Sequence, residues 1–538
     1  MEDVSSPQYH TYGGEVEILI IDRSTGSVAP LPQYICDDVQ LELEDVPDSL
    51  GLPVLIGYDA TASLIELRGG IYKTLSHLLY SLQYALFQLW GMLEKSKYSL
   101  LTSAYHPQAN PLEAYQYVIS KPMYNLVKGS SSIHAQALSK IYPNHPELGR
   151  KWQHEETALA AAIQPWNSLE PAHAADQIAV LQATGWIFNL LTANSPFAQG
   201  RHTGKRDYRL EIWNTMTAQS RYQQDNILIK NVPSRPRKLV DYYKYVFSNQ
   251  RPAVIPDLYP LTQRNTAKDN KTHFLAIKQP DDQQEFNILT YLQADTIKAI
   301  HLGDASEQDV APSVAHIFND FDIFYVPHYG ARLRINLPDA ENIDPKEFAR
   351  AIIAGDEATF QSLLIQGGIQ KGSICAEGRV AATVLPTNKN SDWQQFNIPF
   401  VLQTAIVRRH KQILAFFEEA QLAWEDLTER LPTMTNITEW GFNAPIGEYR
   451  ASELAKKVWE IARTSLSSEE AALVGDTIDT ILYTCKAPAE EQIDFLTHEN
   501  ASIGHALPSL IDHLSIKGIP IPDSTMDTIL AATFCVLA

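Results

Sequence analysis

The sequence predicts an α+β fold, because strand-like segments come first and helical segments follow. Short strand-like segments that carry acidic residues come first, up to about residue 68. They lead directly into a segment with leucines at helical spacing, which runs from Thr74 to Met92. After about residue 340 the pattern is largely helical. Strands that come first and helices that follow are typical of α+β proteins, in which helices cover a sheet.

The composition is that of an ordinary globular protein, with 45% hydrophobic and 20% charged residues among 538. The formal net charge is −20, which argues against a surface built to bind nucleic acid. We therefore predict small molecules as partners, including anions that a local group of cations admits. The sequence does not indicate an oligomeric state.

The cysteines and the N-terminus favour a cytoplasmic protein. The four cysteines are far apart and form no CxxC pair, which argues against a zinc knuckle or a disulfide framework. The first residues are acidic and lack the apolar stretch of a signal peptide. Polar residues lie opposite the leucines between Thr74 and Met92, so we expect an amphipathic core helix there and not a membrane span.

Two glutamates near the N-terminus indicate a cation site. Glu15 and Glu17 lie two residues apart in an otherwise apolar segment, so on a β-strand they project from the same face. Two such carboxylates repel each other and are costly to desolvate unless a cation lies between them. The alternative is that the pair forms the solvent face of an edge strand.

A second acidic stretch strengthens this interpretation. Asp59 and Glu66 lie in a segment predicted to be a strand, and Gln40 to Glu44 is predicted to be another. Carboxylate ligands suit Mg²⁺ or Mn²⁺ better than zinc. His134, in an alternating segment, could join these carboxylates, although an isolated histidine of this kind is more often structural or exposed.

Arginines mark two further segments. Residues 152–193 are predicted to be helical, and they end in a loop with four cations, Arg201, Lys205, Arg206 and Arg209. Since arginine binds carboxylates and phosphates bidentately, this loop is a candidate substrate or nucleotide site, and the alternative is a solvated basic turn. A late predicted strand places Arg332 and Arg334 on one face. No Walker or dinucleotide-binding loop is present, so metals and arginines would have to hold a nucleotide.

Several motifs resemble those of the glutamate–cysteine ligase type 2 and carboxylate–amine ligase family, relatives of glutamine synthetase. They are Gly13-x-Glu15-x-Glu17, Ile65-Glu66-Leu67 preceded by Asp59, and Ala193-Asn194-Ser195-Pro196-Phe197 continuing to Gly200-Arg201 and Tyr208-Arg209. His134 lies in a segment similar to the family's Gly-Ile-His strand, and Trp440-Gly441-Phe442 resembles the start of its closing region. The similarity covers roughly residues 10–470.

The resemblance implies a mostly antiparallel, curved sheet that forms a funnel-like active site, flanked by helices, with a helical C-terminal region. A glutamine synthetase-like catalytic core would span residues 1–345, and a mainly helical region would span 346–538. The implied activity depends on ATP and Mg²⁺ or Mn²⁺. A carboxylate, such as the γ-carboxylate of glutamate, is activated as an acyl phosphate and joined to an amine such as cysteine, as in glutathione biosynthesis.

The resemblance also implies roles for individual residues. Glu15, Glu17, Asp59, Glu66 and His134 would be metal ligands. Arg201 would hold the carboxylate of the amino acid or a phosphate, and Arg334 would stabilise the phosphoryl group during transfer. The remaining substrate- or nucleotide-binding residues would be Asn194, Ser195, Arg209 and Arg332.

One departure from the family pattern leaves alternatives open. The family's late strand carries Glu-x-Arg, whereas this sequence has Arg332-Leu333-Arg334, and a cation in place of a ligating acid should weaken one metal position. An active ligase is the leading hypothesis. The alternatives are a degenerate homologue that acts as a regulator or scaffold, and a ligase redirected to a peptide or protein acceptor.

Overall fold

The computed structural model describes thirteen ranges of the chain. They are residues 11–44, 54–119, 158–212, 234–249, 254–256, 274–278, 286–301, 306–318, 330–370, 372–386, 392–428, 435–498 and 503–520.

An antiparallel sheet lies at the centre of the fold. Within the described ranges it has seven strands, in the order β12-β13-β5-β1-β3-β2, with β4 also paired to β1. The strands of this sheet are β1 (Tyr12–Asp22), β2 (Leu55–Tyr58), β3 (Leu64–Tyr72), β4 (Tyr98–Leu101), β5 (Ile163–Ser168), β12 (Ala331–Ile335) and β13 (Ile374–Gly378). The α+β class and the antiparallel sheet are therefore confirmed.

The remaining strands form smaller sheets. Four of them make a second antiparallel sheet in the order β11-β10-β9-β8, and two pairs form hairpins. These strands are β6 (Phe197–Ala198), β7 (Arg201–His202), β8 (Val254–Pro256), β9 (Phe274–Ile277), β10 (Ile297–His301), β11 (Glu307–Val310), β14 (Pro445–Ile446) and β15 (Tyr449–Arg450).

Helices surround the sheet and dominate the C-terminal part, as predicted. They are α1 (Gln33–Glu44), α2 (Leu75–Glu94), α3 (Pro111–Tyr115), α4 (Ala174–Thr192), α5 (Leu239–Asn249), α6 (Ile288–Gln293), α7 (Ala315–Phe318), α8 (Pro345–Ala354), α9 (Glu357–Gln366), α10 (Asp392–Arg408), α11 (His410–Glu419), α12 (Trp424–Thr428), α13 (Thr435–Trp440), α14 (Ala451–Ala462), α15 (Ser468–Ala472), α16 (Thr477–Thr484), α17 (Pro488–His498) and α18 (Ile503–Leu514). None of the helices in the described ranges has both the length and the apolar character needed to cross a bilayer.

Side-chain alternation gives the sheet one apolar face. Val16 and Ile18 of β1, Leu67 of β3, Ile163 of β5 and Leu333 of β12 are all buried in the main core. Helices α2, α4 and α10 pack against strands β3, β12 and β5 respectively, and so cover this face. The leucine-striped segment before Met92 is therefore a core helix, as expected.

The other face of the sheet is closed at one end by C-terminal helices. Leu19 and Ile21, at the end of β1, form a separate apolar cluster with Leu510 and Leu514 of α18. The chain then runs beside β4, where the Thr102 amide donates to the Leu514 carbonyl at 3.0 Å. Residues near 514 are thus built into the fold.

Three predicted segments differ from the structure. Gln40–Glu44 is the end of helix α1, because Ile35, Val39 and Leu43 form a helical stripe and are buried. The segment from Asp59 is a hairpin turn before β3, closed by the Asp59 amide on the Leu64 carbonyl at 2.9 Å. Ile163–Ser168 is a strand and not a helix. Most of its residues are buried on both faces, so its sequence shows no clear alternation.

The domain boundary at residue 345 remains a prediction. Strand β13 comes from the C-terminal side of that boundary and pairs with both β5 and β12. The sheet therefore draws on both sides of the predicted boundary.

A pair of glycines tests how tightly α4 packs. A Cβ added to Gly185 in α4 would lie 2.5 Å from the Gly330 Cα, which is backbone and cannot rotate away. We expect Gly185→Ala to lower the free energy of unfolding by about 1–3 kcal/mol through overpacking. Gly91 in α2 has no atom within 4 Å of an added Cβ, so Gly91→Ala should instead stabilise by about 0.5–1 kcal/mol. Urea unfolding measures both, and equal effects would contradict the packing described.

Candidate functional site

Polar side chains from five strands share the second face of the central sheet. Directly opposed residues in antiparallel strands point to the same side. The register opposes the following pairs: Glu17 with Glu66, Glu15 with Gln164, Gly13 with Trp166, Trp166 with Glu377, and Glu377 with Arg332. We call this surface the polar face. The other face of these strands is packed in the apolar core, so the strands are rigid and hold the polar side chains in place.

The acidic half of the polar face contains Glu15, Glu17, Glu66 and the nearby Asp59. The pKa of Glu15 is raised to about 7. Burial is the largest cause, the carboxylates of Glu377 and Asp59 add to it, and the nearby Arg379 and Arg334 oppose it. Burial, and then the charges of Asp59 and Glu66, raise the pKa of Glu17 well above its ordinary value. Glu15 and Glu17 are therefore each repelled by other carboxylates of the site.

Neighbouring donors orient the carboxylates. Glu17 accepts a hydrogen bond from the Ala162 amide at 2.7 Å and another from Gln164 Nε2 at 2.5 Å. Glu66 forms an ion pair with Arg68 at 3.1 Å. Each oxygen of Glu17 has two lone pairs, so these bonds direct the carboxylate without exhausting it.

The cationic half of the polar face surrounds Glu377, which is fully buried. The Nε atom of Arg332 donates to Glu377 at 2.7 Å, Arg334 Nε donates to the same oxygen, and Arg379 donates to the other oxygen at 2.6 Å. The Arg334 guanidinium also lies over the Trp166 ring, 4.7 Å from its centroid. Three cations on one carboxylate leave an excess of positive charge beside the acidic half.

Sequence reasoning missed Gln164, Glu377 and Arg379. Gln164 lies in the strand that was predicted to be helical. A signal did exist for the other two, because Glu377-Gly378-Arg379 has the Glu-x-Arg spacing that was sought at residues 332–334. Arg332 and Arg334 do share one face of β12, as predicted, and the acid they face comes from the neighbouring strand.

The Asn194 segment lies in the interior. Asn194 is buried, its Nδ2 donates to the Thr383 carbonyl at 2.6 Å, and its Oδ1 accepts from the Ala104 amide at 2.8 Å. Ser195 donates to the buried Asp207 at 2.7 Å. In the structure these two side chains join separate parts of the chain.

The four loop cations have different surroundings. Lys205 pairs with Glu439, and Arg206 pairs with Glu490 at 2.5 Å, so C-terminal acids hold both. Arg209 is buried, lies 3.6 Å from Asp207 and donates to the Val380 carbonyl. Its charge also opposes the rise in the pKa of the nearby Glu17, and no described residue bonds its Nε.

Arg201 is exposed at the start of β7, where its backbone pairs with Ala198, and its side chain bonds to no described residue. A two-residue turn with positive φ at both Gln199 and Gly200 presents it. It is therefore the cation of this loop that is most accessible to a solute anion.

The donor set partly fits the implied magnesium ion. Oxygen ligands and excess negative charge in the acidic half suit a hard cation. Among the described residues, however, no three His, Cys, Asp or Glu side chains lie close enough together to enclose one. His134, the fifth predicted ligand, lies outside the described ranges. A cation here would have one or two protein carboxylates, which is the usual arrangement for Mg²⁺ shared with substrate phosphates.

Comparison with known proteins gives a family match over part of the chain. Residues 11–227 match glutamate-cysteine ligase family 2, a family of ligases. The matched part contains all four described acids and the Asn194 segment, and within these residues the match confirms the resemblance predicted from the motifs. No curated protein sequence matches the chain.

Two solved structures show low similarity. One is a bifunctional glutathione synthetase from Pasteurella multocida, at 12% identity and a TM-score of 0.43, with 94% of this chain and 53% of that chain covered. The other is a glutamate–cysteine ligase from Francisella tularensis in complex with AMP, at 10% identity and a TM-score of 0.36, with 98% and 92% covered. The chain thus spans about half the length of the bifunctional enzyme.

Glu377 should be important for stability. We expect Glu377→Gln to lower the free energy of unfolding by about 3–5 kcal/mol, because the three arginines around it would lose their buried counter-charge. Urea unfolding followed by circular dichroism measures this. Glu460→Gln is the control, since Glu460 pairs with Lys457 on the exposed surface and its loss should change little. Similar losses in the two variants would contradict the assigned role.

Proposed function

We propose that the protein is an ATP- and Mg²⁺-dependent carboxylate–amine ligase of the glutamate–cysteine type. It activates a carboxylate, in our proposal the γ-carboxylate of glutamate, as an acyl phosphate and joins it to an amine such as cysteine. The observation that carries this proposal is the division of one sheet face into an acidic and a cationic half. Phosphoryl transfer needs both, because phosphates must be bound while their charge is neutralised.

In this proposal the cationic half binds the transferred phosphoryl group. Arg379 is suited to the task because Glu377 fixes its NH1, while its Nε and NH2 make no hydrogen bond to a described residue. Arg334 lies beside it on the same buried carboxylate. A guanidinium held in this way can meet a phosphate without first being ordered. Glu377-Gly378-Arg379 would then supply the Glu-x-Arg pattern that residues 332–334 lack.

The acidic half would hold the metal ion. Glu15, Glu17, Asp59 and Glu66 are the proposed ligands, together with His134 as predicted from the sequence. A bound Mg²⁺ supplies charge neutralisation for the phosphates. The carboxylates keep their orientation through the strand backbone and the donors around Glu17.

The basic loop would bind the amino-acid substrate. We assign Arg201 to its carboxylate, supported by the exposure of this guanidinium. The buried Arg209 would add positive potential from the interior. Asn194 and Ser195 would hold the loop in place. The substrates are small molecules, and we place the reaction in the cytoplasm, in glutathione biosynthesis.

One observation favours a second candidate, a ligase homologue that binds nucleotide or amino acid without turnover. Protein donors already occupy both oxygens of Glu377 and both oxygens of Glu17, and Arg332 adds a cation beside the acids. Such a homologue would bind ATP or glutamate and release no ADP.

A turnover assay separates the two candidates. With ATP, Mg²⁺, glutamate and cysteine present, we expect ADP release and a γ-glutamyl amide detectable by mass spectrometry, and neither when one amino acid is omitted. Arg379→Lys should lower kcat by about 10²–10³-fold, because lysine cannot keep the guanidinium's geometry.

The matched control for this assay is Arg463→Lys. Arg463 is half exposed and pairs with Asp479 within the C-terminal helices, and it is not part of the polar face, so the substitution should leave kcat unchanged. Absence of ADP release with every pair of proteinogenic amino acids, in a protein that still binds ATP, would favour the second candidate.

Magnesium binding should depend on pH. The pKa of Glu15 is about 7 in the folded protein, above its ordinary value, so the ionised form that binds a cation becomes dominant only above neutrality. We expect the Kd for Mg²⁺ to be about tenfold weaker at pH 6 than at pH 8, with proton release on binding. Titration calorimetry in two buffers measures both quantities. Glu15→Gln should reduce this pH dependence to the part that comes from Glu17, whose pKa is also raised, and a wild-type Kd that is constant across the range would refute the assignment.

A further inference from the structure

The side-chain amide of Gln164 joins the two halves of the polar face. Its Nε2 donates to Glu17 at 2.5 Å, and its Oε1 accepts from Arg379 NH1. Gln164 is 3% exposed and lies in β5, between β1, which carries Glu17, and β13, which Arg379 directly follows. The amide has one possible orientation here, because a carboxylate can only accept and a guanidinium can only donate.

The bridge is part of a longer chain of hydrogen bonds. Glu17 is also held by the Ala162 amide at 2.7 Å, and Arg379 by Glu377 at 2.6 Å. Each charged group therefore has one fixed partner of its own, and Gln164 is the shared one. Removing Gln164 would leave Glu17 and Arg379 with only these separate partners and no link between them.

We propose that Gln164 is a positioning residue that couples Glu17 to Arg379. Its amide orients the Glu17 carboxylate to bind a cation. The same amide orients the Arg379 guanidinium to bind a phosphate. This inference rests on the proposed function, since it assigns Glu17 to cation binding and Arg379 to phosphate binding. Partners of this kind behind a metal ligand typically change metal affinity by about 10–100-fold.

The same strand offers a matched control. Gln403 of α10 is buried against the opposite side of β5, where its Nε2 donates to the Pro165 carbonyl at 2.8 Å and to Asn167 Oδ1 at 2.9 Å. Gln403→Met removes a buried amide as Gln164→Met does, but it leaves the polar face intact. A purely structural role for Gln164 would make the two variants behave alike.

The first test measures Mn²⁺ affinity by calorimetry in the two variants and the wild type, without nucleotide. We expect both variants to lower Tm. Gln164→Met should weaken Mn²⁺ binding by at least about tenfold, and Gln403→Met should change it by less than about twofold. Equal Mn²⁺ affinities in the two variants would overturn the coupling of Glu17 to its support.

The second test needs no ligand. In a double-mutant cycle, Gln164→Met and Arg379→Met should lower Tm together by less than the sum of their separate effects, because each already breaks the shared bond. Additive losses would overturn the inference. If the wild type binds no Mn²⁺, the metal-dependent function fails while this cycle still decides whether Gln164 supports Arg379 in the folded protein.

Discussion

The register of β1 between β3 and β5 is the constraint on which the site depends. In this register Val16 and Ile18 face the apolar core while Glu15 and Glu17 lie on the polar face beside Gln164 and Glu66. A shift by one residue would turn both carboxylates into the apolar core and bring the apolar residues onto the polar face. The hydrophobic core and the candidate site are thus two consequences of the same strand pairing.

The polar face is electrostatically costly, and its two halves offset part of that cost. The acids of β1 are buried enough to raise their pKa values, and the arginines near Glu377 lower them again. Glu377 in turn stabilises three guanidiniums that would otherwise repel one another. The polar face thus has a negative half and a positive half side by side. This arrangement suits a reaction that brings a cation and several anions together.

The C-terminal part supports the site from outside. Its acids pair with Lys205 and Arg206, and Gln492 donates to the Asn194 carbonyl at 2.7 Å. The basic loop is therefore less available to solutes than its charge suggests. A change in the C-terminal helices would reach the site through these contacts.

Local patterns in the sequence were sufficient to predict the acid-bearing strand β1, the core helix α2, the arginine-bearing strand β12 and the motifs of the ligase family. Periodicity and short motifs are properties of neighbouring residues, so they survive without knowledge of the fold. Strand β5 could not be recognised, because burial on both faces removes the alternation that marks a strand. The meeting of Glu377 with Arg332 and Arg334, and the pairing of Lys205 with Glu439, depend on contacts between residues far apart in the chain. Only the tertiary structure decides such contacts, since they follow from how strands and helices pack and not from the local sequence.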